Sequence, residues 1–433
     1  MTNVLKASKV ALALSALIGA LGGAAHAQNA EALPPPPDGS ETQLDENPLV
    51  NYVQTRFGIS KEDAQERIEL QGDIAALLEN PAFTEDPGFA GVVVQNEPVY
   101  RVFLTYYDNT NKRDLLRLVP PQLRRYVQIK KARLNRDEVG SGSRAIENAL
   151  ERAGIEAVVS YREGSERFVI QAPDSSAAEV EAAIPRGFRD EFDYDSNPFP
   201  VIEQATTGST TGYPANAGYD IGCTLAFPIT YSYGGTNNRR GILTAGHCFD
   251  PGDPARTLRH SDGASTVFNS AIFQIARNDR DFAVLDITGM NTGYWLYFNN
   301  KQGVGGFSSS SWLRTKNFIR ESASWIGMNV CKQGSTTGLT CGSVTDLDYP
   351  YSFFGGGTFI QVSNSLQSNL SDPGDSGGPW FTTVTSGNDE VSALGLHITG
   401  TGSGRSAWAI YMPIDRTFNT SGGPTNVRLF TTP

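Results

Sequence analysis

Ser376 lies in SDPGDSGGPW (371–380), where Pro373, Gly374, Gly377 and Gly378 surround Asp375-Ser376. Such a run cannot continue a regular helix or an interior strand. It reads as a tight loop that presents one hydroxyl and lets a ligand approach its backbone. A serine hydroxyl is a poor nucleophile until a base takes its proton, so chemistry here requires a histidine and an acid to orient it. His247 lies in GILTAGHC (241–248), an apolar run that closes in a turn. Asp281 opens DFAVL (281–285), in which Phe282 and Val284 share one face and Ala283 and Leu285 the other. A carboxylate at the mouth of a buried strand needs a partner, and His247 is the natural candidate. Asp279, two residues earlier, is the rival acid. Together these residues would carry out nucleophilic acyl transfer.

The elements that must position them come from a β-rich half of the chain. Beyond about residue 212, short β-forming runs alternate with Gly, Ser and Thr and charge is sparse, which predicts an all-β sandwich or a pair of barrels. No repeat of solenoid period is present. All four cysteines, Cys223, Cys248, Cys331 and Cys341, lie in this half. None shows C-x-x-C spacing, so disulfides are favoured over zinc ligation. Three pairings are open; the simplest local closure joins Cys331 to Cys341 and leaves Cys223 for Cys248.

The other half has a different texture. Lys6 and Lys9 precede an apolar run from Val10 to Gly22 and an A-x-A site at Ala25–Ala27, which predicts a signal peptide over 1–27, cleaved before Gln28. Residues 28–49 are Pro-rich linker, and 50–190 read as charged α+β. Ser60 and Asp63 start a helix that carries Leu70, Ile74, Leu77 and Leu78 on one face. Strands are expected at Val92–Val94, Val99–Tyr106, Ala157–Tyr161 and Arg167–Gln171, then a helix from Ser175 to Ile184. An acidic linker covers 191–203. Of the net charge of −11, nearly all precedes residue 206; beyond it 14 Lys and Arg face 15 Asp and Glu. Neither half carries the basic stripe of a nucleic-acid binder, and no later run is long and apolar enough to span a bilayer.

TAGHC (244–248), DFAVL (281–285) and GDSGGP (374–379), in that order, resemble the His, Asp and Ser blocks of chymotrypsin-like serine peptidases. VCKQGSTTGLTCG (330–342) and ALGLHITGTGSG (393–404) are similar to segments of the streptogrisin and α-lytic-type bacterial branch. The resemblance covers about residues 205–433. It implies an all-β fold of two six-stranded antiparallel β-barrels, about 215–320 and 321–433, preceded by an α+β pro-region. It implies His247 as base, Asp281 as orienting acid and Ser376 as nucleophile, with Gly374 and Ser376 N–H groups facing the oxyanion. Asp375 would hold that loop by pairing with a buried group. His397, Thr399 and Gly400 fall on the substrate-binding strand, and in some relatives a histidine there accompanies cleavage after glutamate. Residues 28–203 fit a pro-region acting as intramolecular chaperone and inhibitor, with 204–433 as the protease domain. Glu203 would suit self-release by an enzyme with acidic P1 preference. Protein or peptide substrates, a secreted monomer in the medium or periplasm, and no cofactor follow, with a structural calcium left open. The rivals are an acyl hydrolase with the same residues, a catalytically silent binding module or adhesin, and a permanent second domain in place of the pro-region.

Overall fold

The computed structural model describes residues 47–107, 113–196, 217–219, 223–248, 256–260, 265–268, 271–287, 295–299, 310–334, 336–351, 356–364, 369–383, 390–400, 407–418 and 420–431. The expected signal peptide and Glu203 lie outside these residues.

In the N-terminal region the helix Lys61–Leu78 starts where Ser60 requires, its Oγ accepting the Asp63 N–H at 3.0 Å. Leu70, Ile74, Leu77 and Leu78 are buried. Three further helices lie outside the sequence expectations, one of them the short Pro81–Thr84. Pro48–Phe57 begins inside the stretch expected to be linker, with Asn47 as N-cap and Pro48 in its first turn. Arg136–Arg152 is opened by an Asn135/Glu138 capping box. Its Gly140–Ser143 run hides the helical period. A Cβ at Gly142 would come within 2.6 Å of the Phe168 ring, so glycine there permits close packing on the sheet. Phe89–Gln95, Arg101–Tyr106 and Val127–Lys131 form one small sheet; Val158–Arg162, Arg167–Gln171 and Phe192–Asp195 form another.

The catalytic candidates stand on two larger sheets. Asn329–Gly334, Gly338–Pro350, Thr358–Ser363, Trp408–Pro413, Glu390–Gly400 and Pro379–Thr382 pair in that cyclic order and close a six-stranded barrel. Ser310–Phe318 and Trp295–Asn299 extend its sheet at one edge. Where the first six-stranded barrel is expected, the described residues hold a five-stranded sheet, Phe273–Arg277, Arg280–Asp286, Thr236–Thr244, Pro228–Tyr233 and Thr425–Leu429, without a closing pairing, and a separate three-stranded sheet, Ser265–Phe268, Arg256–His260 and Ala217–Tyr219; the five-stranded sheet is called the first barrel below. The barrels therefore do not divide cleanly at residue 320. Ser310–Phe318 joins the second, and the C-terminal strand returns to pair with Pro228–Tyr233 in the first.

The N-terminal region packs on the second barrel. Leu49, Val50, Tyr52, Val53 and Ile68 share one buried apolar cluster with barrel residues such as Leu339 and Phe381. Buried Gln71 accepts the Asn329 N–H at 2.7 Å and donates to Thr382 Oγ1 at 3.1 Å. Val94 N donates to the Ile326 carbonyl at 2.7 Å, and the Tyr349 hydroxyl to Gln171 Oε1 at 2.6 Å.

Candidate active site

His247 sits in the turn Gly246–Cys248, one residue beyond the strand Thr236–Thr244. The turn is held from three sides. Cys248 is bonded to Cys223, Gln274 Nε2 donates to the Gly246 carbonyl at 2.7 Å, and Gly246 leaves no room for a side chain. A Cβ there would lie 2.0 Å from the Ile275 carbonyl oxygen. Asp281, fully buried at the start of Arg280–Asp286, accepts the His247 backbone N–H on Oδ1 at 2.8 Å and meets ring Nδ1 with Oδ2 at 2.6 Å. The carboxylate thus takes Nδ1–H, which makes Nε2 the basic ring nitrogen. Asp281, and not Asp279, supplies this carboxylate; the Asp279 carbonyl instead accepts from Arg416 at 3.0 Å.

Ser376 comes from the second barrel, in the loop before Pro379–Thr382. Gly374 and Gly377 have φ of 100° and 83°, which side chains tolerate poorly. Gly377 is doubly constrained, since a Cβ would fall 2.2 Å from Thr244 Oγ1 and 2.4 Å from the Thr224 carbonyl. Thr224 ties this loop to the first barrel, its N–H donating to Ser376 O at 2.7 Å and its hydroxyl to Gly374 O at 2.8 Å. The Ser376 hydroxyl donates to the Ile398 carbonyl at 3.3 Å.

Asp375 answers how the loop keeps its shape. Its carboxylate pairs with Lys332 Nζ at 2.6 Å, both side chains being completely buried. It also accepts from Thr337 Oγ1 at 2.6 Å and from the N–H groups of Thr336, Thr337 and Asp372 at 3.0, 3.1 and 3.2 Å. Burial alone would raise the Asp375 pKa, but Lys332 and these hydrogen bonds outweigh it and hold the carboxyl below its ordinary range. Gly334 makes the room, since a Cβ there would sit 2.0 Å from Asp375 Oδ1. The loop's anchor is thus a lysine of the same domain. The sequence reading expects a buried partner without naming Lys332; a lone charged residue beside Cys331, in a strand with no other charge, was the available signal.

The substrate-strand candidates are also gathered here. His397 is buried, its N–H and carbonyl engaging the Gly378 carbonyl and the Gly377 N–H at 2.8 and 2.7 Å. Trp380 Nε1, which can only donate, points to His397 Nδ1 at 3.3 Å, and Nε2 lies 2.6 Å from Ser371 Oγ. Burial first, and the Lys332 charge second, push the His397 pKa well below its ordinary value. The neutral ring therefore donates Nε2–H to Ser371. Ser371 and Trp380 were not singled out from the sequence. The strand bulges between His397 and Thr399, Ile398 is buried, and a Cβ on Gly400 would approach Ser371 Cβ to 2.8 Å.

Both disulfides, Cys223–Cys248 and Cys331–Cys341, are the pairs expected from local closure. Cys223, His247 and Cys248 are close enough to suggest a metal site, but the sulfurs are bonded to each other and offer no thiolate.

No protein-family model matches the chain. It is 28% identical over 190 residues to serine protease 2 of Streptomyces fradiae, spanning 42% of this chain and 90% of that protein. It is 30% identical over 215 residues to streptogrisin-C of Streptomyces griseus, spanning 47% of this chain and 39% of the relative. Among solved structures, the Nocardiopsis protease NAPase is similar over 50% of this chain and 98% of its own, at 22% identity and a TM-score of 0.35.

Proposed function

We propose that this chain, a member of the chymotrypsin-like bacterial serine peptidases, is a secreted serine endopeptidase made as a precursor and acting through Ser376, His247 and Asp281. The observation that carries the reading is the 2.6 Å contact of Asp281 with His247 Nδ1 on one barrel, whose Thr224 is hydrogen-bonded to the serine loop that Lys332–Asp375 holds on the other. As Ser376 Oγ attacks the scissile carbonyl carbon, His247 Nε2 takes its proton. The carbonyl electron pair moves onto oxygen, which the N–H groups of Gly374 and Ser376 stabilise; each such donor contributes on the order of 10²–10³ in rate. The C–N bond then breaks and His247 returns the proton to the leaving amine. Water repeats the cycle and releases the acid.

Residues 28–203 act as the pro-region, docked on the second barrel through Gln71, Val94 and Gln171. A fold dominated by non-local strand pairing forms slowly, which gives a template a physical task. The substrate preference is for acidic P1 residues. The donor presented to such a side chain is the Ser371 hydroxyl, because His397 spends its Nε2–H on Ser371.

Amino-terminal sequencing and intact mass of the secreted product, for wild type and Ser376→Ala, test the reading. Wild type is expected to start near residue 204 and to react with a fluorophosphonate at Ser376, while the variant stays full length. Equal processing of both would remove self-cleavage. Absence of labelling would remove the enzyme. Faster cleavage after Phe or Leu than after Glu in a peptide panel would remove the acidic preference.

A further inference from the structure

Ser376 and the His247–Asp281 pair belong to different barrels, so their separation depends on how one barrel is held against the other. We propose that Arg416, braced by Glu321, is a positioning residue that sets the Asp281 carboxylate from the second barrel. The inference rests on the reading of Asp281 and His247 as acid and base.

The strands Phe273–Arg277 and Arg280–Asp286 are joined by a tight turn, with Asn278 at φ 54°. Asp281 follows two residues after that turn begins its return, and any shift of the turn is passed along the strand to its carboxylate. One short segment of the second barrel, residues 412–416, grips the returning side of the turn at two points. Met412 Sδ accepts the Asp281 N–H at 3.2 Å. Arg416 Nη1 donates to the Asp279 carbonyl at 3.0 Å and to the Thr358 carbonyl at 2.5 Å. The same guanidinium sends Nε to Glu321 Oε2 at 2.8 Å and Nη2 to Glu321 Oε1, with its side chain 9% exposed. All three nitrogens are therefore committed. They join a carbonyl of the first barrel, a carbonyl of the second and a carboxylate beside them. Only a planar fork does this; a lysine ammonium cannot span the three acceptors in one geometry.

The opposite side of the turn is equally close. A Cβ on Gly357, next to Thr358, would lie 2.4 Å from the Asn278 carbonyl carbon and 2.6 Å from the Asp279 nitrogen. The Asn278–Asp279 backbone thus rests on the second barrel from below while Arg416 fastens it from the side. Glu321 is fixed in turn, its N–H donating to Asp415 Oδ1 at 3.2 Å. A displacement of about 1 Å in such a constellation costs on the order of 10²-fold in rate.

The test compares wild type, Arg416→Lys and Gly357→Ala, expressed as the full chain. Arg416→Lys removes the fork but keeps the charge; Gly357→Ala pushes the same turn without altering any charge. Both are expected to lower kcat about 10- to 100-fold with KM nearly unchanged. The low-field proton resonance of His247 Nδ1–H, read in the same samples, should shift or vanish whether or not the protein turns over substrate. That readout separates this inference from the enzymatic reading on which it rests. Added guanidinium ion should restore part of the rate to Arg416→Ala. An unchanged kcat and an unchanged Nδ1 resonance in both variants, with only a lower melting temperature, would show Arg416 to be structural support and overturn the proposal.

Discussion

Residues 47–196 and the barrels differ in whether they bury ion pairs. The ion pairs described in the N-terminal region, Arg56–Glu97, Arg125–Glu66, Lys130–Glu166, Arg133–Glu191 and Arg167–Asp193, each have at least one well-exposed partner. In the barrels, Lys332–Asp375 and His247–Asp281 are buried on both sides. Exposed pairs contribute at most about 1 kcal/mol and make few demands on geometry. A buried pair is different: its members are expensive to separate, so it dictates where two segments must meet. The N-terminal region spends much of its charge on exposed local contacts. The barrels carry exposed pairs too, such as Lys316–Glu390, but they also bury two pairs where one loop and one imidazole must have a single conformation.

The largest effect should come from breaking that contrast at its centre. Lys332→Met leaves Asp375 buried without a counter-charge and is expected to destabilise the barrels by about 3–5 kcal/mol, with loss of fluorophosphonate reaction at Ser376. Chemical unfolding and labelling of the same sample check both. A variant that labels at the wild-type rate would show that the loop holds its shape without the pair.

A smaller, pH-dependent effect is expected where the two regions meet. Asp346 is buried in the second barrel, accepts the Asp348 N–H at 2.9 Å, and faces Ser160 and Arg162 of the N-terminal region, with Tyr349 beside it. Burial raises its pKa from 3.8 to about 7, against the Asp348 N–H, the Ser160 hydroxyl and the Arg162 charge; the Asp348 carboxylate adds to the rise. Because the folded pKa lies above the unfolded one, the folded, docked chain holds the proton more tightly. The contribution is complete below about pH 4, falls as pH rises toward about 7, and is level above that. Unfolding midpoints of the Ser376→Ala chain should decline over this window, and Asp346→Asn should flatten the decline. An equal slope in both chains would assign the dependence to other groups.

The smallest effect belongs to the surface. Lys130→Ala removes a 2.8 Å pair with Glu166 in which the lysine side chain is 40% exposed. It should change stability by less than about 1 kcal/mol, a shift measurable by thermal unfolding only against a closely matched control. A cost like that of Lys332→Met would erase the distinction between the two regions.

How much could be read beforehand depended on the range of the interactions. The helix from Ser60 and the strands near 92, 101, 158 and 167 were legible because caps and hydrophobic period act within a few residues. Pro48–Phe57 was missed because prolines upstream masked an Asn-Pro start, and Arg136–Arg152 because the Gly and Ser of residues 140–143 interrupt its hydrophobic period. His247, Asp281 and Ser376 were legible as residue types in characteristic local settings. Asp281 could not be separated from Asp279 on spacing alone, since the choice depends on which carboxylate reaches a turn 34 residues away in the chain.

The amino-acid sequence by itself thus determined the local grammar: where helices start, which loop exposes a serine, which cysteines can close short loops, and which half of the chain is acidic. Only the tertiary structure decided the partners of buried charge. Lys332 meets Asp375 across 43 residues, and Arg416 reaches Asp279 across 137. Such pairings have no periodic signature. They follow from the closure of the second barrel and its docking on the first, which bury these charges and leave each one few places to find a counter-charge or a carbonyl.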